Sequence, residues 1–244
     1  MKKLLIISFL SIGLIGCSSI ELEAVSTSQE ETNRILAMGL THEENLAEAN
    51  KLNTAHMISV VSLQLTNARD EKMQHDIDLI ESKKFEDQIN VSNNGLRFTG
   101  PEKTESVKTG VLSTDFDSHS YYLEGSKDSN SDKIQHKINI TISHNSKNKR
   151  EYQSANMCDK WGRCEDLKED GSSNKLESKA ISVTASNCTA NSCDYSEIIE
   201  INLSDSFLNE SIKNGFSLNL ISKKKSHKFK VSKPYLLGYL AVVQ

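Results

Sequence analysis

The chain has 244 residues, with 29 Lys and Arg against 33 Asp and Glu and a formal charge of −4. That length holds one large domain, or one domain with a stalk. A mildly acidic chain has no general electrostatic reason to bind nucleic acid. With two prolines and 36% hydrophobic residues, a core requires the apolar side chains to be concentrated in short runs.

Lys2 and Lys3 precede an apolar run from Leu4 to Ile15, broken only by Ser8, Ser11 and Gly13. About a dozen residues is the length of a signal-peptide core, too short for a spanning helix. Gly16 puts a small residue directly before Cys17. The sequence Leu14-Ile15-Gly16-Cys17 resembles the lipobox of bacterial lipoproteins, a resemblance confined to the first seventeen residues. It implies that residues 1–16 are a signal peptide and that the Cys17 thiol carries diacylglycerol. Cys17 then becomes the new, usually acylated, amino terminus. Two or three acyl chains, at about 0.8 kcal/mol per buried CH2, hold a protein on a membrane without a spanning helix. Ser18, standing where Asp would retain a lipoprotein at the inner membrane, implies the outer membrane in a diderm host.

Residues 17–34 are polar and aperiodic and read as a lipidated tether. Residues 35–87 read as mostly helical. Ile35, Met38, Leu46, Ala49 and Leu52 lie loosely on one face, and Thr41-His42-Glu43-Glu44 after Gly39 marks a fresh N-cap. Residues 57–65, "MISVVSLQL", suit a strand by β-branching and a helix by spacing.

From Gln88 the period becomes two. Asn94-Gly95 between "INVS" and "LRF" is a hairpin signal. Strand candidates follow at 118–125, 137–144, 150–157, 179–186, 195–203, 216–222, 227–232 and 236–243. Ile138/Ile140/Ile142, Ile181/Val183/Ala185 and Ile199/Ile201/Leu203 alternate with polar residues, as in antiparallel sheets with one wet face. A helix at 204–215 begins at Ser204-Asp205-Ser206 and ends at Asn214-Gly215. The expected fold is mainly β: residues 88–244 form an antiparallel, immunoglobulin-like β-sandwich preceded by the helical segment.

Beyond Cys17 four cysteines remain, Cys158, Cys164, Cys188 and Cys193. An even number in an exported chain implies two disulfides, with three possible pairings. The local pairing, Cys158 with Cys164 and Cys188 with Cys193, brackets two turn-like stretches and is favoured. The spacing is not the C-x2-C of a zinc ribbon, and no metal or cofactor is expected. Asp128, Asn130 and Asp132 begin a calcium-loop pattern, but Lys133 stands where that pattern needs Gly.

The enzyme signatures G-x-S-x-G, H-E-x-x-H, P-loop and G-x-G-x-x-G do not occur in the sequence, and its seven histidines are scattered. The only tryptophan, Trp161, sits between Lys160 and Arg163 in "CDKWGRC". Trp and Arg are enriched at binding hot spots, so this loop is the candidate recognition tip. The commoner fate of such a Trp is to fold back and cover core. "SKKKSHKFK", 222–230, is basic. It reads as a solvated turn that guards an edge, or as a contact for anionic lipid or lipopolysaccharide. The leading expectation is a non-catalytic envelope or surface lipoprotein, held on the membrane by its anchor. It binds a protein or glycan through its β-domain loops. A structural part of an envelope assembly and a hydrolase with an unrecognised site are the alternatives.

Overall fold

The computed structural model describes residues 27–92, 94–108, 116–131, 133–159, 161–166, 173–223 and 225–244. Cys17, Lys160 and residues 1–16, expected as a signal peptide, lie outside the described residues. The chain divides into two compact units, one ending at Ile77 and one spanning Asp78–Gln244.

The first unit is helical. It contains α1 (residues 27–36), α2 (His42–Ala49) and the part of α3 (Ala55–Glu86) up to Ile77. Thr41 caps α2 as its sequence indicated: its hydroxyl accepts from Glu44 N, and the Glu44 carboxylate accepts from Thr41 N at 2.9 Å. Ile35, Ala49, Val61 and Leu65 close a small core. Residues 27–34, expected as tether, are therefore helical. Ser28 and Thr32 stand two turns and one turn before Ile35 and are buried with it, and Thr32 Oγ1 donates to Gln64 Oε1 at 2.5 Å. The ambiguous 57–65 is helix, because Val61 and Leu65 share the buried face of α3.

Among its described residues the second unit holds ten strands, all antiparallel: β1 (Asn90–Ser92), β2 (Arg97–Thr99), β3 (Lys103–Lys108), β4 (Phe116–Lys127), β5 (Ile134–Ser146), β6 (Ser154–Cys158), β7 (Lys175–Ser186), β8 (Cys193–Leu203), β9 (Phe216–Ile221) and β10 (Ser226–Val231). They run β1-β2-β4-β5-β8-β7-β6-β9-β10, with β3 beside β2 on the same edge of β4. The Asn94-Gly95 hairpin is in place, both residues at positive φ, with Val91 opposite Phe98.

On β5 and β8 the alternation read from the sequence is the alternation observed. His119, Tyr121 and Leu123 on β4, Ile138, Ile140 and Ile142 on β5, and Ile199, Ile201 and Leu203 on β8 are all buried. Leu218 and Leu220 on β9 and Phe229 and Val231 on β10 join them. The sheet curls so that β10 comes back over β4: Tyr121 OH on β4 donates to the Lys230 carbonyl on β10 at 3.0 Å. In β7 the alternation breaks at a bulge between Ala180 and Ser182, and Ile181, Val183 and Ala185, expected on the buried face, are all exposed.

Between β8 and β9, α4 (Asp205–Ser211) is capped by the Ser204 hydroxyl, which accepts from Phe207 N. The segment 236–243, expected as a final buried strand, is instead part of a helix, α5 (Lys233–Val243). Ser232 and Pro234 supply a helix start, and the run that follows has no polar alternate. A helix apolar all round must be covered on all sides. The curled sheet and the end of α3 supply most of that cover: Tyr235, Leu236, Tyr239, Leu240 and Val243 are at most 5% exposed. The mainly β, antiparallel expectation therefore holds. The immunoglobulin-like sandwich does not follow from the pairing, because the strands form one hydrogen-bonded path whose inner face packs on a helix.

The last turns of α3 belong to this unit and pack on α5. Phe85 and Tyr235 meet edge-on at 5.3 Å, and Lys233 pairs with Asp78 at 2.8 Å. Gly238 makes the close approach possible: a Cβ there would lie 2.5 Å from Ser82 O and 2.9 Å from Glu86 N. Those are backbone atoms with no rotamer to yield. Gly238→Ala is expected to cost about 2–3 kcal/mol, read as a lower thermal midpoint. An unchanged midpoint would show that this contact is loose.

Candidate functional site

Both disulfides form with the local pairing, Cys158–Cys164 at 2.04 Å and Cys188–Cys193 at 2.12 Å. The first closes the loop that carries Trp161. Asp159 organises that loop. Its Oδ1 accepts from Trp161 N at 2.9 Å and Arg163 N at 2.8 Å, and its Oδ2 accepts from Arg163 Nε at 2.7 Å. Asp159 N donates to Arg163 O at 2.8 Å, and Gly162 turns the chain at φ +79. Burial pushes the Asp159 carboxyl up, but these N–H groups outweigh it and hold it below the usual carboxylate range.

The base of the loop is also tied. Asn156 Nδ2 on β6 donates to Cys164 O at 3.2 Å and to Asp166 Oδ1 at 2.6 Å. Fixed at both ends and at its centre, the loop leaves Trp161 73% exposed. Trp161 therefore does not fold back onto the core. Arg163 is turned onto Asp159 and lines a 560 Å³ groove floored by Met157 and Phe216, with Glu165 and Glu210 on its walls.

A second polar cluster was missed by sequence reasoning. It lies in the second unit, at the edge of the apolar interior. Arg150 is 6% exposed and forks onto Asp117, 2.6 Å from Nη1 to Oδ2 and 2.9 Å from Nη2 to Oδ1, with Tyr152 OH 3.2 Å from Nη1. Glu197 is 2% exposed. Its Oε1 accepts from His144 Nε2 at 3.0 Å and Arg150 N at 2.6 Å, and its Oε2 accepts from Glu151 N at 3.0 Å. His119 Nδ1 and His227 Nε2 share a 2.9 Å hydrogen bond, and Glu105 stands 3.6 Å from His119 Nε2. Burial lowers all three histidines, His227 to about 4, so they are neutral at pH 7.

Ser146 Oγ lies 3.0 Å from His144 Nδ1, completing a Ser–His–Glu chain. That hydroxyl donates to Asn148 O at 2.7 Å, and Glu197 is engaged by two backbone amides. The chemistry open to this arrangement is to hold residues 146–153 inward. Those residues include Glu151 at φ +59 and the first half of the strand expected at 150–157. Among the described residues no group of three or more His, Cys, Asp or Glu side chains is placed to hold a metal. No described helix is long and apolar enough to cross a membrane.

No family model, curated protein or solved structure matches the chain.

Proposed function

We propose that the chain is a non-catalytic, membrane-anchored envelope or surface lipoprotein that works by contact. Cys17 carries the anchor, and the disulfide-closed tip bearing Trp161 engages a protein or glycan partner. The observation that carries this reading is Trp161 itself, the largest apolar side chain in the protein, held 73% exposed on a loop fixed by a disulfide and by Asp159. A preorganised aromatic avoids most of the ordering cost of binding. The two disulfides suit an extracytoplasmic compartment.

Placing a photo-crosslinker at position 161 tests the reading. A discrete adduct is expected in cells, and none from exposed position 202. Equal labelling at both would sink it. Trp161→Ala is expected to leave the unfolding free energy within about 0.5 kcal/mol of the parent while abolishing the adduct partner's binding. Cys17→Ser is expected to release the protein from the membrane fraction or stall its processing; unchanged fractionation would remove the anchor from the proposal.

The assembly reading keeps one observation of its own. Leu63 and Met73, both in the first-unit part of α3, are 62% and 56% exposed. Large apolar side chains exposed on a helix suit a helical partner. Loss of partner with Leu63→Glu and Met73→Glu, but not with Trp161→Ala, would favour it.

A further inference from the structure

Over most of its length β7 is paired on one side only. β8 runs beside it from Ser178 to Ser186, but β6 reaches it only at residues 175–177. The chain before β6 turns away because the Arg150 and Glu151 amides donate to Glu197. It parts from β7 around a 330 Å³ opening lined by Tyr152, Ala180 and Val183. Among the described residues no strand pairs with 178–186 on the side away from β8. Such an edge is a row of unmade backbone hydrogen bonds, and native sheets blunt it with charge, proline or brevity. β3 carries Lys103, Glu105 and Lys108, β10 carries Lys228 and Lys230, and β1 has three residues. The β7 edge lacks these defences. No charge and no proline occur between Lys179 and Asp194, and Ile181 and Val183 are 48% and 39% exposed. The bulge between Ala180 and Ser182 leaves 182–186 in a regular ladder. The edge is also held in place. The Cys188–Cys193 disulfide closes the turn at its end, and Asp194 accepts from Asn187 Nδ2 at 2.9 Å and from Asn145 Nδ2 at 2.7 Å.

We propose that the β7 edge pairs antiparallel with the β7 edge of a second copy of this chain, across a two-fold axis near Val183 and Thr184. Main-chain hydrogen bonds supply the attraction, as in other strand additions. Side chains favour a copy over a foreign strand. With the axis perpendicular to the sheet, odd positions stand opposite odd ones and even opposite even. Ile181, Val183 and Ala185 then meet the same apolar set, and Ser182, Thr184 and Ser186 meet hydroxyls, pairs that stabilise a sheet. Lys179 falls outside the paired centre, at opposite ends of the two strands, so no like charges face each other. A foreign strand would have to reproduce this uncharged alternation, whereas a copy already carries it. A two-fold contact closes at two chains, so the edges are used up instead of propagating. The pairing also covers the very residues whose alternation predicted burial. It goes beyond the contact reading above and uses neither Trp161 nor the anchor.

The full chain with a photo-crosslinker at position 183, co-expressed in cells with a differently tagged copy, tests the pairing. The expected result is an adduct of twice the chain mass that carries both tags, and none from exposed position 202. Val183→Lys sets two ammonium groups close to the axis. It is expected to cut the two-tag adduct, read from a crosslinker at position 185, at least about tenfold. Val183→Thr keeps a β-branched side chain and should retain the adduct, which separates the effect of charge from a failure to fold. An adduct undiminished by Val183→Lys would overturn the strand pairing. An adduct joining position 183 to a different protein would overturn the second copy as occupant, in favour of a foreign strand. No adduct from position 183, or equal yields from 183 and 202, would overturn the proposal outright. None of these outcomes depends on the crosslink at position 161, so this inference and the contact reading fail separately.

Discussion

Arg150→Met is expected to lower the unfolding free energy by about 3–5 kcal/mol, measured by urea denaturation at pH 7. The loss would come less from the attraction removed than from what remains. Asp117 is 8% exposed, and the fork from Arg150 at 2.6 and 2.9 Å supplies its buried counter-charge. Without it a carboxylate stays in a site too dry to solvate it. The double variant Arg150→Met/Asp117→Leu removes both charges and is expected to recover most of the loss, as exchanges of buried pairs for apolar side chains often do. A single-variant cost under about 1 kcal/mol would mean that water reaches this pair.

Stability is expected to fall steeply as the pH drops below about 6.5. His119, His136, His144 and His227 are all held below their ordinary value, each chiefly by burial. They are neutral in the folded chain, whereas the unfolded chain protonates them near 6.5. Unfolding therefore takes up protons in acid. The contribution of these residues is fully present above 6.5 and is lost as the pH falls, for His227 down to about 4. Each histidine adds a slope of up to about 1.4 kcal/mol per pH unit while it titrates. Asp117, Glu105 and Glu197 oppose the trend around the cluster and Arg150 reinforces it. Urea midpoints at pH 7, 6 and 5 would read the slope, and His227→Phe should flatten it. A midpoint constant across that range would refute the neutral-histidine assignment.

Much of the β-domain is legible in period-two alternation, because one wet face forces polar residues between buried ones. Ile138/Ile140/Ile142 and Ile199/Ile201/Leu203 are examples, paired with Ile138 opposite Ile201 and Ile140 opposite Ile199. β3, "KTESVK", carries no such pattern, since an edge strand is selected for charge rather than burial. α5 was misread because a fully apolar run has no period to count. Its start signal, Ser232 followed by Pro234, was the available clue. The polar cluster was illegible for a different reason. Asp117, His119, His144, Arg150, Glu197 and His227 sit on four strands and one connection, and sequence spacing says nothing about which registers meet. At the tip, the sequence supplied Trp161 and Arg163 and the disulfide. It did not supply the bond that Lys228 Nζ donates to the Gly162 carbonyl, since the sequence neighbours of Lys228 argue only for a turn.

The position of α5 along the chain has a consequence for how the protein is made. Every strand whose buried face it covers precedes it, so a chain emerging amino end first presents Ile138, Ile140, Ile199 and Ile201 before the helix that shields them exists. For that interval the strands are a row of open edges with an uncovered apolar face, the state most prone to wrong pairing. The interior is not covered on this face until α5 is present. A chain delivered unfolded to its compartment meets this requirement, because nothing it has built beforehand has to be undone.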